Sequence, residues 1–389
     1  MKIKVGFIYG GKSVEHEISV ISAVQAMNHL DTNKYDIVPI YITKDLQMYT
    51  GGMLKDIESY KDASLIKKYA KKVNLINSKD RIILQSTKWF KKEVDYIDIA
   101  FPIVHGNGTE DGSIAGFLET IGIPYVGSKV VSSAIGQDKV IQKQIFSSSN
   151  IPTTNYIWFF DNEYYDNQEA ILKNINKLTY PLVVKPATLG SSIGISFVKA
   201  KDELQEAIDL AISYDNKIIV EEAINNLCEV NQSVLGTYDY YETSQIEEVI
   251  KEDEILSYKD KYLGSAKTSS KGIASTRRII PARINEKLSK EIDEISKKVY
   301  RNLNCSGVVR IDYLIDTKKK EVYVNEINTI PGSLAYYLWE GKGTSYEELL
   351  ENLITTTIKD YKKKMKKIAS FETNILSNYN SQGLKGIKK

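Results

Sequence analysis

The chain has 389 residues, of which 42% are hydrophobic and 26% charged, with a formal net charge of +2. That length supports two or three folding units rather than one core. The near-neutral balance excludes the broad basic field by which nucleic acid or an anionic membrane surface would be held. Two cysteines, Cys228 and Cys305, make no disulfide framework and read as buried thiols of a reducing compartment. No apolar run reaches the length of a membrane span, and the first residues carry too short a stretch for a signal peptide. A cytoplasmic protein is expected.

In chain order, Val5–Tyr9 is a short apolar strand ending at Gly10-Gly11, and Val20, Ala23, Val24 and Met27 then fall on one helical stripe. Further strands are expected at Tyr35–Tyr41 and Ile97–Val104, with a lysine-rich surface helix and hairpin between Met53 and Lys92. Strand, glycine turn, helix, strand predicts a parallel sheet with crossover helices. The Gly10-Gly11 turn leaves a helix start open to an anion or ligand, although a plain tight turn explains the pair equally, and Glu15 could simply answer the helix dipole. His105-Gly-Asn-Gly-Thr-Glu-Asp-Gly112 follows a strand and bends sharply while presenting polar groups. A lone histidine there is more often structural than catalytic, and His29 within the first helix is read as structural outright.

A second unit begins near Phe146, with strands at Tyr180–Pro186 and Lys217–Val220 and a helix over Glu203–Ile212. Lys185 to Ile195 reads as strand, small-residue turn and strand, where backbone N–H groups and the Ser191 and Ser192 hydroxyls can cradle phosphate. It is not a Walker A loop, because the closing Gly-Lys-Ser/Thr is absent. Asp239 to Arg278 is rich in Tyr, Lys, Ser and Gly and loses periodicity after Tyr258, as functional lids or disordered segments do. Lys261-Tyr262, near its start, reads alone as solvated loop. A third unit holds a helix over Leu288–Leu303 and a final helix with Leu350, Leu353, Ile354, Thr357, Ile358 and Tyr361 on one face. Beyond about Lys362 a basic, solvated tail follows.

Between those helices lie Val308-Val-Arg-Ile-Asp312 and Glu321-Val-Tyr-Val-Asn-Glu-Ile-Asn328, joined by polar Asp316–Lys320. At a side-chain period of two, Arg310 and Asp312 share a face, as do Glu326 and Asn328. Pairing the strands gathers two carboxylates, a carboxamide and a guanidinium. Hard oxygen donors in that number suit Mg²⁺ held against nucleotide phosphates, with the arginine free to meet developing negative charge. An ATP-using enzyme is expected.

Taken in order, Gly10-Gly11 with Glu15-His-Glu-Ile-Ser19, His105-Gly with Glu110-Asp-Gly112, Asp138-Lys139, Lys185-Pro with Gly190-Ser-Ser-Ile-Gly194, Lys261-Tyr262, Arg310-Ile-Asp312 and Asn325-Glu-Ile-Asn-Thr-Ile-Pro-Gly332 resemble the D-alanine–D-alanine ligases. These belong to the ATP-grasp superfamily, and the resemblance runs from about Val5 to Leu350. It implies an α/β ATP-grasp fold in three domains: a Rossmann-like parallel-sheet domain over 1–140, a central subdomain over 141–236 and a C-terminal subdomain with a lid over 237–365. A tail occupies 366–389. It also implies that Lys139, Lys185 and Ser192 hold nucleotide phosphate and that Lys261 sits on the lid. Glu221, Ala223 and Ile224 would form the adenine hinge, and Glu229 would bind ribose.

By the same resemblance, Asp312, Glu326 and Asn328 bind two Mg²⁺ ions, with Mn²⁺ able to substitute. Glu15, Ser191 and Tyr262 orient the first amino acid, His105 lies beside it, and Arg310 with the Gly332 amide stabilises an oxyanion. Tyr337 and Leu338 meet the second amino acid, but a tyrosine stands at 337 where many members carry serine. The implied reaction joins two D-alanines at the expense of ATP for peptidoglycan precursors, in a homodimer without nucleic-acid or membrane partners. A D-alanine–D-serine ligase is the nearest alternative. A nucleotide-binding regulator without turnover would be expected to have lost metal ligands or the arginine, and none is missing.

Overall fold

A computed structural model of the chain describes residues 2–79, 81–250 and 277–369. Lys261, Tyr262 and the tail from 370 onward, for which lid and tail roles were expected, lie outside the described residues.

The first sheet contains β1 (Ile3–Gly10), β2 (Tyr35–Ile42), β3 (Met48–Thr50), β4 (Lys71–Ser78), β5 (Arg81–Ser86), β6 (Glu93–Ile97) and β7 (Ile99–Ile103), in the order β6-β5-β4-β3-β2-β1-β7. Only β2, β1 and β7 run parallel, because the helix His16–His29 carries the chain across from β1 to β2. After β2 the chain runs as an antiparallel meander from β3 to β6, its β3–β4 connection carrying a short helix, Ala63–Tyr69. The single strand expected over Ile97–Val104 is broken at Asp98, whose carboxylate accepts the Lys4 N–H at 2.7 Å. Ile97 thereby ends β6 at one edge of the sheet, while Ile99–Ile103, the bulk of the expected strand, forms β7 at the other. Val20, Ala23, Val24 and Met27 are all buried, as their spacing predicts.

The second sheet is antiparallel and contains β8 (Tyr156–Phe160), β9 (Leu182–Pro186), β10 (Ser196–Val198) and β11 (Lys217–Glu222), ordered β10-β9-β11-β8. Leu182, Val184, Ile218 and Val220 pack under the helix Leu204–Ile212. By alternation, Lys185 and Glu221 then share the opposite face. The third sheet contains β12 (Leu227–Gly236), β13 (Tyr241–Ile250), β14 (Arg277–Ile279), β15 (Gly307–Asp316) and β16 (Glu321–Asn328), ordered β14-β13-β12-β15-β16. Although β12 ends the 141–236 span, it hydrogen-bonds along its length to β15. Val230, Val234, Val309, Ile311 and Val324 bury one face under the helix Glu286–Asn302. Asp312, Arg310, Glu326 and Asn328 are left on the other.

The final helix, Tyr346–Lys364, starts at a capping box between Ser345 and Glu348. Leu349, Leu350, Leu353 and Ile354 share a core with Leu235 and Val308 at the ends of β12 and β15. They also join Phe7, Val20, Ala23 and Met27 there, tying the end of the chain to its beginning. Among the described residues no helix is long and apolar enough to cross a membrane.

Candidate active site

The polar faces of the second and third sheets and the loops of the first enclose a cleft of about 930 Å³. One end starts at the helix Lys139–Ser148, capped by Asp138, whose carboxylate accepts the N–H groups of Val140 and Ile141. Lys139 Nζ donates to the Leu189 carbonyl at 2.6 Å and lies 3.3 Å from Glu326 Oε2. Lys185 Nζ lies 2.9 Å from Glu221 Oε1 and 3.3 Å from Asn325 Oδ1.

Glu221, expected at the adenine hinge, commits its carboxylate elsewhere. Lys143 Nζ lies 3.1 Å from its Oε2, and Thr154 donates to the same oxygen at 2.8 Å. Burial alone would push this carboxyl up, but the ammoniums of Lys143 and Lys185 overcome it and hold it at about 2. Burial pulls the Lys143 ammonium down against the pull of Glu221, while Glu221 and Glu326 carry Lys185 above its ordinary value despite burial. The Ala223 N–H is also taken, donating to the Pro181 carbonyl at 2.9 Å. Ile224 and Glu229 line the same part of the cleft.

The turn after β9 reaches across to the first domain. Ser191 and Ser192 adopt φ of 55° and 59°, which folds the turn back, and the Ser191 hydroxyl donates to Glu15. A Cβ at Gly190 would stand 3.0 Å from the Glu15 carboxylate, so this position has little room for a side chain. Two members of the expected trio thus meet, while Tyr262 lies outside the described residues.

Behind Glu15, His105 is buried and near Ser22 Oγ at 3.3 Å. Burial, with the Arg310 charge in addition, depresses it to about 4, so it is neutral at pH 7. Glu110 accepts the N–H groups of Gly106 and Ile330, each at 3.1 Å, and joins the His105 loop to the end of β16. Burial and then the Glu15 charge raise its carboxyl to about 8.

Strands β15 and β16 pair as the sequence suggests, with Arg310 opposite Asn328 and Asp312 opposite Glu326. Arg310 grips Asp312 in a fork, Nε to Oδ1 at 2.7 Å and Nη2 to Oδ2 at 2.9 Å. Although burial opposes its charge, Asp312 keeps the guanidinium firmly protonated. Asn328 Nδ2 donates to Asp312 Oδ2 at 3.2 Å. Among the described residues no three His, Cys, Asp or Glu side chains gather into a self-sufficient metal cage. Two carboxylates and an amide on one wall of the cleft do fit Mg²⁺, which completes its shell with water and other oxygen ligands.

At the far wall, Gly332 opens a tight turn in which Ser333 donates its N–H to Ser22 Oγ at 3.0 Å. Tyr337 lines the cleft, but its hydroxyl donates to Glu247 Oε2 at 3.3 Å. Leu338, expected beside the second substrate, is fully buried among core side chains and does not line the cleft. Leu338 sits about 100° round the helical turn from Tyr337, and that step carries its side chain into the core.

Lys143, Thr154, Asn231, Glu247 and Arg278 were not singled out from sequence. Lys143 carried a signal, since it follows Lys139 by one helical turn and shares its face. The others sit on strands or a loop whose partners are distant in sequence.

Family models described as "D-ala D-ala ligase N-terminus" and "D-ala D-ala ligase C-terminus" match residues 4–128 and 145–355. The D-alanine--D-alanine ligase of Thermosipho melanesiensis is 39% identical, covering 96% of this chain and 98% of that protein. The Thermosipho africanus enzyme of the same name is 41% identical with the same coverage. Among solved structures, the VanG D-Ala:D-Ser ligase of Enterococcus faecalis is 31% identical with a TM-score of 0.75, covering 92% of this chain and all of that one. The Bacillus anthracis D-alanine--D-alanine ligase complexed with ATP is 26% identical with a TM-score of 0.66, covering 93% and 99%. With this fold and this cleft, the chain is an ATP-grasp enzyme and belongs to the D-alanine–D-alanine ligase family.

Proposed function

We propose that the protein joins two D-alanines into D-alanyl-D-alanine, converting ATP to ADP and phosphate, to supply a peptidoglycan precursor. The observation that carries this reading is one cleft holding Lys139 and Lys185, the Asp312–Glu326–Asn328 oxygen set and Arg310. A carboxylate is a poor acyl donor. Its oxygen first takes the γ-phosphoryl group, releasing ADP and leaving an acyl phosphate. The second amine, having given up its proton, then attacks the carbonyl carbon, and phosphate leaves as the amide forms.

Lys139 and Lys185 would neutralise phosphoryl oxygens, with Glu221 and Lys143 holding Lys185 in place. Asp312, Glu326 and Asn328 would bind two Mg²⁺ ions, with Mn²⁺ able to substitute, and the metal would supply further charge neutralisation during phosphoryl transfer. Glu15, oriented by Ser191, would receive the first ammonium. Arg310 and the Gly332 N–H would hold the oxyanion of the tetrahedral intermediate. Enclosure by the cleft walls matters because water would hydrolyse an acyl phosphate.

Mass spectrometry of products formed from ATP with D-alanine alone, and then with D-serine added, tests the reading. Dipeptide from D-alanine alone supports it, and a mixed product only, or none, rejects it. We also assign the enzyme to the cytoplasm as a homodimer, for which sedimentation of the purified chain should give twice the monomer mass.

A further inference from the structure

The ligation reading requires the cleft to accept a second amino acid, which brings a carboxylate that must be countered when withdrawn from water. The cations already described have other tasks in that reading. Lys139 and Lys185 face the phosphate end beside Glu326 and Glu221, and Arg310 is forked onto Asp312. Tyr337, standing where a serine donor is common, has turned its hydroxyl to Glu247 and away from that task.

One more guanidinium lines the cleft at this wall. Arg278 has Nε 3.1 Å from Glu247 Oε1 and its guanidinium carbon 4.3 Å from the centre of the Tyr337 ring. Glu247 is itself almost wholly buried, and the Asn231 amide lies 3.4 Å from its Oε2. A planar guanidinium laid on an aromatic face and pinned along one edge has a set orientation, which a flexible lysine would not. Its side chain is 28% exposed, against 63% for Arg283 nearby, so it borders the cleft and does not trail in solvent.

We propose that Arg278 is the acceptor-site cation, receiving the carboxylate of the amino acid whose amine attacks, with Glu247 and Tyr337 as its positioning residues. The inference rests on the ligation reading. It makes acceptor recognition in this chain a matter of a stacked arginine at 278 in place of a hydroxyl at 337.

The test offers the full-length enzyme D-alanine with D-alaninamide as a competing acceptor, and the ratio of free-acid to amide dipeptide is read by mass. Losing one charge-assisted hydrogen bond should lower that ratio about 10- to 100-fold in Arg278→Gln. The KM for ATP should stay within about twofold of wild type, since the nucleotide end is untouched. Arg278→Lys, which keeps the charge but loses the fork and the stack, should fall between. A wild-type ratio in a folded Arg278→Gln enzyme, or in Arg278→Lys and Arg278→Gln alike, overturns the proposal. If wild type makes neither product, the ligation reading itself fails.

Discussion

Glu221→Gln is the most informative single change, because it removes one charge from the buried cluster while nearly preserving shape. The carboxylate sits between Lys143 and Lys185 at 3.1 and 2.9 Å, and all three side chains are almost fully enclosed. Its carboxyl is held at about 2 against an ordinary 4.5, which at 1.36 kcal/mol per pH unit amounts to about 3 kcal/mol. An independent route agrees, since removing one partner of a buried ion pair typically costs about 3–5 kcal/mol. Because the folded value is depressed, this contribution is fully present above pH 4.5. It is lost as pH falls from there towards 2.

The amide should therefore lower the melting temperature at pH 7 by roughly 4–6 °C for a chain of this size. The difference between variant and wild type should shrink as pH falls below 4.5. Thermal melts followed by circular dichroism across pH 3–8 read both. Adding Lys143→Met should recover part of the loss, because the second variant removes a charge that the first left unpaired. A Glu221→Gln protein as stable as wild type at pH 7 would refute the account of the cluster.

Arg310→Ala should reduce kcat by about 10²- to 10³-fold while nucleotide binding, read by calorimetry, stays measurable; retained activity rejects the oxyanion role. His105, depressed to about 4 from 6.5 by burial, makes the fold lose about 3 kcal/mol as pH drops from 6.5 to 4. His105→Gln should flatten that part of the stability profile. Gly10 has φ of +90° and a Cβ there would lie 2.2 Å from the Ile42 carbonyl oxygen, so Gly10→Ala should cost at least about 2 kcal/mol in denaturant titration. Gly52→Ala, where a Cβ meets nothing within 4 Å, should stay within about 0.5 kcal/mol of wild type.

Much of this was legible in the residues because it is local. The period-two placement of Arg310, Asp312, Glu326 and Asn328 survives intact in the β15–β16 pairing. The stripe Val20, Ala23, Val24 and Met27 is the buried face of its helix. The small residues from Gly190 to Gly194 make the turn that reaches Glu15. In each case backbone periodicity or a permissive φ decides where a side chain points, and neither depends on a distant partner.

Tertiary structure decided the rest. Glu221 looks like any strand carboxylate until Lys143 and Thr154 approach from a separate helix and loop. The apolar stripe of the last helix says that it is buried but not by what, and the first domain, with Leu235 and Val308, supplies the answer. Asp98 splits one apolar run between two edges of a sheet. Arg278 acquires a purpose only where Tyr337 and Glu247 meet it. Side-chain period records which face turns inward, whereas the identity of the neighbour across that face is settled by contacts far apart along the chain, which no local pattern encodes.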